Sequence, residues 1–208
     1  MTYRLPNSRK SNFATEPPQA WLTPCQCSPY YQHSALYPLI ELLERVALRF
    51  EREETPAQKL SKLEGFLVQY GLPLAEAMPL FATLLSLPLP AHYAALTISP
   101  EQQKQQTLHA FLTILLRIAA QQPVLFVMED LHWVDPSTLE LLSLLVDQGP
   151  TARILALFTF RPDFSPPWTG RAHLTQVTLR RLARRQAAEM TGRVAHNKAL
   201  PAEVLEQA

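Results

Sequence analysis

The sequence predicts an α/β fold built on a mostly parallel sheet. Residues 123–128 (PVLFVM) and 153–160 (RILALFTF) are unbroken apolar runs, the pattern of strands buried on both faces. These runs alternate with segments whose apolar residues recur at helical spacing, which implies parallel strands joined by helices. The length of 208 residues, 47% hydrophobic and 18% charged, supplies a core for one domain, or one and a fraction.

In chain order, residues 1–19 are polar, broken by Pro6, Pro17 and Pro18, and read as a loose lead-in. Residues 20–25 (AWLTPC) fit a short strand that Pro24 weakens. Over 36–50, Leu39, Leu42, Leu43, Val46 and Phe50 recur at helical spacing. Thr55 followed by Pro56 opens a second helix striped by Leu60, Leu63, Leu67 and Tyr70, and Gly71 stops it. Residues 74–85 form a third helix, and a Pro-rich turn follows at 88–90. Ser99–Pro100–Glu101 opens a long helix to about residue 120 by the same cap logic. Beyond the strand at 123–128, residues 137–147 read as a helix and 153–160 as a second buried strand. Residues 173–179 (HLTQVTL) read as a weaker third strand, and 184–195 and 201–208 as helices.

The formal net charge of +1 gives no global pull toward nucleic acid or an anionic membrane. The first 19 residues hold no apolar run of the secretory kind, and no stretch reaches the roughly 18 apolar residues that span a bilayer. A cytoplasmic protein is expected. Cys25 and Cys27 lack the second pair that a structural zinc site needs, so they read as two small buried residues.

Ligands of open parallel sheets bind beyond the carboxyl ends of the strands. The first such place reads VLFVMEDLHWVDPST: a rigid apolar strand carrying Glu129 and Asp130 at its tip. Phosphoryl transfer to water uses such a pair, one carboxylate in the Mg²⁺ shell and one orienting the attacking water. A solvated acidic pair at a strand end is the alternative. Asp135 before Pro136 reads as a helix cap, His132 as a surface residue, and Trp133 as packing over the sheet edge. The second place is Arg161, just past the strand at 153–160 and followed by Pro162, where a forked cation can reach a terminal phosphate or stand exposed in a loop. The phosphate-cradling pattern G-x-x-x-x-G-K-[ST] is absent: Gly65, Gly71, Gly149, Gly170 and Gly192 have neither its spacing nor its Lys-Ser/Thr.

Four segments carry a family resemblance: CQCSPYYQHSALYPLIELLERV (25–46), PVLFVMEDLHWVDPSTLELLSLLVDQ (123–148), ILALFTFRPDF (154–164) and HLTQVTLRRLARRQ (173–186). Together they resemble the AAA-type, signal-transduction (STAND) P-loop ATPase module, an Orc1-like AAA domain, of bacterial multidomain regulators. Those regulators include ATPases linked to adenylate or guanylate cyclases and large transcriptional activators. The resemblance implies ATP and Mg²⁺ as cofactors. It makes Glu129 and Asp130 the Walker B pair, Glu129 at the metal and Asp130 at the water, and Arg161 the γ-phosphate sensor. The acid order reverses that of many P-loop enzymes, so it leaves this division of labour open.

The resemblance further implies a P-loop NTPase-like sheet that is incomplete here. The Walker A strand, central in the family between the strands at 153–160 and 173–179, would lie upstream of residue 1. Residues 20–208 would be a partial ATPase domain, with a helical insert at about 36–120, the Walker B strand at 123–130 and a sensor strand at 153–161. Such a fragment is expected to hydrolyse ATP weakly or not at all by itself, and its expected partners are cyclase or DNA-binding effector domains. The other function class is a non-catalytic interaction or DNA-associated module using the basic segment 161–198. There Arg171, Arg180, Arg181, Arg184, Arg185 and Arg193 stand against Asp163 and Glu189. A solvated helix face explains that charge run as well, and nucleic acid is not the expected partner.

Overall fold

The computed structural model describes residues 20–179, together with 186, 189, 190 and 193. The chain divides into two units, 1–169 and 170–208. In the first, strand β1 (Trp21–Gln26) is followed by helices α1 (Tyr37–Leu42), α2 (Pro56–Gln69), α3 (Leu74–Leu84) and α4 (Pro100–Gln121). Strand β2 (Val124–Glu129), helix α5 (Pro136–Gln148) and strand β3 (Ile154–Phe158) complete it. The three strands form a parallel sheet in the order β1-β2-β3, with β2 in the centre. The fold is therefore α/β, a parallel sheet flanked by helices.

Local chemistry sets most of these boundaries. Thr55 and Ser99 each accept from the backbone N–H three residues on, while Gln58 and Gln102 reach back to the cap N–H. Proline fills the first helical position of both helices. Gly71 ends α2 at φ +64°, a conformation glycine adopts without cost. The expected helix over 36–50 is shorter: α1 passes into a π-turn at Leu43–Ala47, closed by Leu48 N–H on Leu43 O at 2.8 Å.

The register puts Thr23, Cys25, Val124, Phe126 and Met128 on one face, against α1, α4 and α5. That face is the core: Phe126, Met128, Leu39, Ile118, Leu141 and Leu142 are all fully buried. Phe126 meets Phe158 edge-on at 6.5 Å, and Phe158 in turn packs on Trp168. The opposite face carries Leu22, Leu125, Val127, Leu155 and Leu157. It is bare at its margins, with Leu22, Leu155 and Leu157 exposed by 47%, 68% and 52%.

Two expectations need correction. The strand at 153–160 forms over Ile154–Phe158 but is not buried: among the described residues it pairs with β2 alone, and its leucines face out. Residues 173–179 adopt no regular structure and leave Val177 and Leu179 exposed. A strand forms only against a partner, and alternation of apolar with Thr and Gln supplies none. The helices expected over 184–195 and 201–208 and the lead-in 1–19 lie outside the described residues, save 186, 189, 190 and 193, which are helical.

Candidate functional site

The carboxyl ends of β1, β2 and β3 meet at Glu129 and Asp130. Cys27 N–H donates to Glu129 O at 2.9 Å, fixing the tip of β2 from the β1 side. From the β3 side, Thr159 holds the next turn twice. Its hydroxyl accepts from Asp130 N–H at 3.1 Å, and its carbonyl accepts from Leu131 N–H at 2.9 Å. Asp130 is left-handed at φ +58°, where Asp is among the residues most readily tolerated. That conformation turns the chain sharply out of the strand. The Asp130 carboxylate then accepts from Gln26 Nε2 at 3.2 Å.

Asp130 also borders a recess of about 420 Å³ at the β1/β2 end, with Gln26, Cys27, Tyr31, Tyr37 and Glu41. The Tyr31 and Tyr37 rings stack at 3.6 Å on its wall. Burial pushes the Cys27 thiol up to about 12, with help from the Asp135 and Asp130 charges. Burial pushes Cys25 up to about 12 as well, aided by the neighbouring Cys27 and Glu41. Both thiols are protonated at neutral pH and serve as packing.

Asp135 is the best-connected carboxylate of the region. Only 2% exposed, its Oδ1 accepts from Ser137 N–H and Thr138 N–H at 3.0 Å each, capping α5. The same oxygen accepts from Leu36 N–H at 3.1 Å, across 99 residues of sequence, and Oδ2 accepts from the Thr138 hydroxyl at 2.5 Å. Asp135 is thus a cap, as its place before Pro136 predicts, and also a tether for the left-handed Leu36 that leads into α1.

Glu129 is exposed at the strand tip. Arg161 stands exposed two residues beyond Thr159, at the same end of the sheet. Trp133 lines the recess. The surface reading of His132 is corrected: both ring nitrogens are buried, and neither has a hydrogen-bond partner among the described residues. Sequence reasoning missed Gln26 and Thr159. The available signal was a polar residue ending an apolar strand beside the acidic tip.

The donor set fits part of a Mg²⁺–nucleotide complex. Magnesium takes one or two carboxylates and completes its shell with water and phosphate oxygens. Glu129 and Asp130 suit that, and no group of three or more acidic, His or Cys residues among the described ones makes a self-sufficient metal cage. A phosphate cradle is not supplied by the described glycines: Gly65 lies within α2, Gly71 ends it, Gly149 follows α5, and Gly170 lies beyond β3.

A parallel sheet flanked by helices is consistent with a P-loop NTPase-like fold. The AAA ATPase domain model matches residues 10–157, and the chain belongs to that family. Glu129 and Asp130 fall inside the match and Arg161 outside it. An uncharacterized protein of Rhizobium meliloti (strain 1021) is 32% identical over 89 residues, covering 40% of this chain and 8% of that protein. The chain thus spans a small part of that relative's length. No solved structure matches. No helix among the described residues is long and apolar enough to cross a membrane.

Proposed function

We propose that this chain is the acidic half of an ATP-dependent switch module in a cytoplasmic multidomain regulator. In this reading Glu129 enters the Mg²⁺ shell, Asp130 orients the attacking water, and Arg161 senses the terminal phosphate. The observation that carries it is the clamped turn at the tip of β2. Gln26 holds the Asp130 carboxylate from β1, and Thr159 holds its backbone from the β3 side. Electrostatic catalysis needs charges fixed before the reaction, and this turn fixes one.

The phosphate-binding loop is not among these residues, so the chain alone hydrolyses ATP weakly or not at all. The effector is a cyclase or DNA-binding domain, and the nucleotide state sets one of two arrangements of the regulator.

The test is amide NMR of the chain titrated with ATP to about millimolar, with and without Mg²⁺, beside a turnover assay. Weak Mg²⁺-dependent shifts at 129–131 and 159–161, without turnover, are expected. Turnover abolished by Asp130→Asn, or micromolar binding weakened by Arg161→Ala, overturns the half-site reading. No shift at these strand ends overturns the ATP assignment itself.

A further inference from the structure

The recess beside Asp130 has walls that the ATP reading does not use. Tyr31, Tyr37 and Trp133 line its sides, and Glu41 and Asp130 bring carboxylates to it from α1 and from the tip of β2. None of its lining residues belongs to β3 or follows it. The aromatic wall is held in place from within the fold. Ser28 caps the turn at Pro29–Tyr31 by accepting from Tyr30 N–H at 3.4 Å. At the other end of the segment, Asp135 holds Leu36 N–H at 3.1 Å. The Tyr31 and Tyr37 rings lie nearly parallel, 10° apart. Hydrogen bonding with Tyr31, then burial and the Glu41 charge, raise the Tyr37 phenol, so this ring stays uncharged at neutral pH. Neutral aromatic rings present electron-rich faces.

The charges of the recess suit a cation. Two carboxylates stand against one guanidinium, Arg45, so the lining is negative overall. Arg45 pairs with Glu41 at 3.0 Å and is 76% exposed. The Asp130 carboxylate accepts from the neutral Gln26 and has no cationic partner among the described residues. Each carboxylate thus already accepts a hydrogen bond, and what remains for a guest is negative charge beside ring faces. A head group that is positive and has no N–H to place fits those terms, and aromatic faces are the known chemistry for it. We propose that the recess binds a small quaternary ammonium ion. The methylated head rests on the aromatic wall, and its charge faces Asp130 and Glu41. A volume of about 420 Å³ admits such a molecule whole. The assignment does not rest on the ATP reading, because Asp130 serves it only as a charge.

Amide NMR of the chain titrated with choline chloride, against sodium chloride at equal concentration, tests this. Saturable shifts at 27–31, 37–45 and 130–133 are expected, half complete below about 10 mM choline. The uncharged isostere 3,3-dimethylbutan-1-ol and the primary ammonium ethanolamine should each bind at least about tenfold more weakly. Tyr31→Leu removes a ring face and Glu41→Gln a charge, and each should weaken choline about tenfold. Circular dichroism checks that both variants fold, and should one unfold, the other decides. No saturation by about 50 mM choline overturns the site. So does choline binding that is unchanged in the folded variants. Equal binding of the isostere overturns the cation, and equal binding of ethanolamine overturns the quaternary head. No nucleotide is present, so any of these failures leaves the reading of Glu129 and Asp130 untouched.

Discussion

On the β1 side of the central strand, Pro24 closes the outer edge, Gln26 reaches across to Asp130, and the segment leading into α1 is tied to Asp135. On the β3 side, nothing among the described residues pairs with the outer edge, and Leu155 and Leu157 stand exposed. The same central strand thus has one finished flank and one unfinished flank. Stability resides on the finished side and on the packed face. Replacing residues on each tests that division.

The largest contrast lies between the two faces of the sheet. Phe126→Ala removes a fully buried ring and should cost about 4 kcal/mol. In a domain of this size that lowers Tm by roughly 10 °C. Leu155→Ala, on the bare face, should cost no more than about 0.5 kcal/mol, the range of surface changes. Thermal unfolding of both variants under monomeric conditions reads the difference. A Leu155→Ala cost above about 1 kcal/mol would break the comparison, because that leucine would then be covered.

Next comes Asp135→Ala. It strips α5 of its cap and leaves the Leu36 N–H without its acceptor. Loss of a cap and of a buried charge-assisted bond together cost about 3 kcal/mol. Asp135→Asn keeps one acceptor oxygen and should recover about half. Denaturant midpoints at unchanged slope measure both. Equal losses in the two variants would mean that charge, rather than hydrogen bonding, holds the tether.

Local chemistry made much of this legible in the sequence. Thr55, Ser99 and Asp135 act on backbone groups two or three residues away, so their cap roles read directly from order. The apolar run 123–128 marks the central strand because an unbroken apolar run of that length suits a strand covered on both faces. The same logic misjudged β3. An apolar run shows that a strand suits burial, but its neighbours decide whether burial happens, and among the described residues only β2 adjoins it. The clamp on the acidic turn was illegible for a related reason. Gln26 and Asp130 are 104 residues apart, and no local period links them. Leu36 and Asp135 are linked in the same non-local way.

Pro24→Ala probes the finished edge by undoing its protection. The backbone bonds of β1 to β2 run through the odd residues, so the fold should change by less than about 1 kcal/mol. Assembly should change more. With an N–H restored at residue 24, the outer edge of β1 offers a further pairing group, and light scattering should show heavier species. An unchanged mass distribution would mean that Pro24 is not what closes that edge.

The smallest expected effect is that of Gln26→Ala. The bond from Gln26 to Asp130 is exposed, and such bonds contribute about 0.5 kcal/mol or less to folding. Thermal unfolding should therefore scarcely move. The consequence is local: the Asp130 carboxylate loses the side-chain donor that points it into the recess, while Thr159 still holds its backbone. Carboxyl-carbon NMR of Asp130 should show its side chain spread over more than one rotamer in Gln26→Ala and a single one in the unaltered chain. Gln26→Glu sharpens the point, because a second carboxylate repels where the amide donated, and the Asp130 side chain should then leave its single rotamer altogether. An Asp130 rotamer distribution that is identical in all three chains would show that the finished flank supports the fold without orienting the acid.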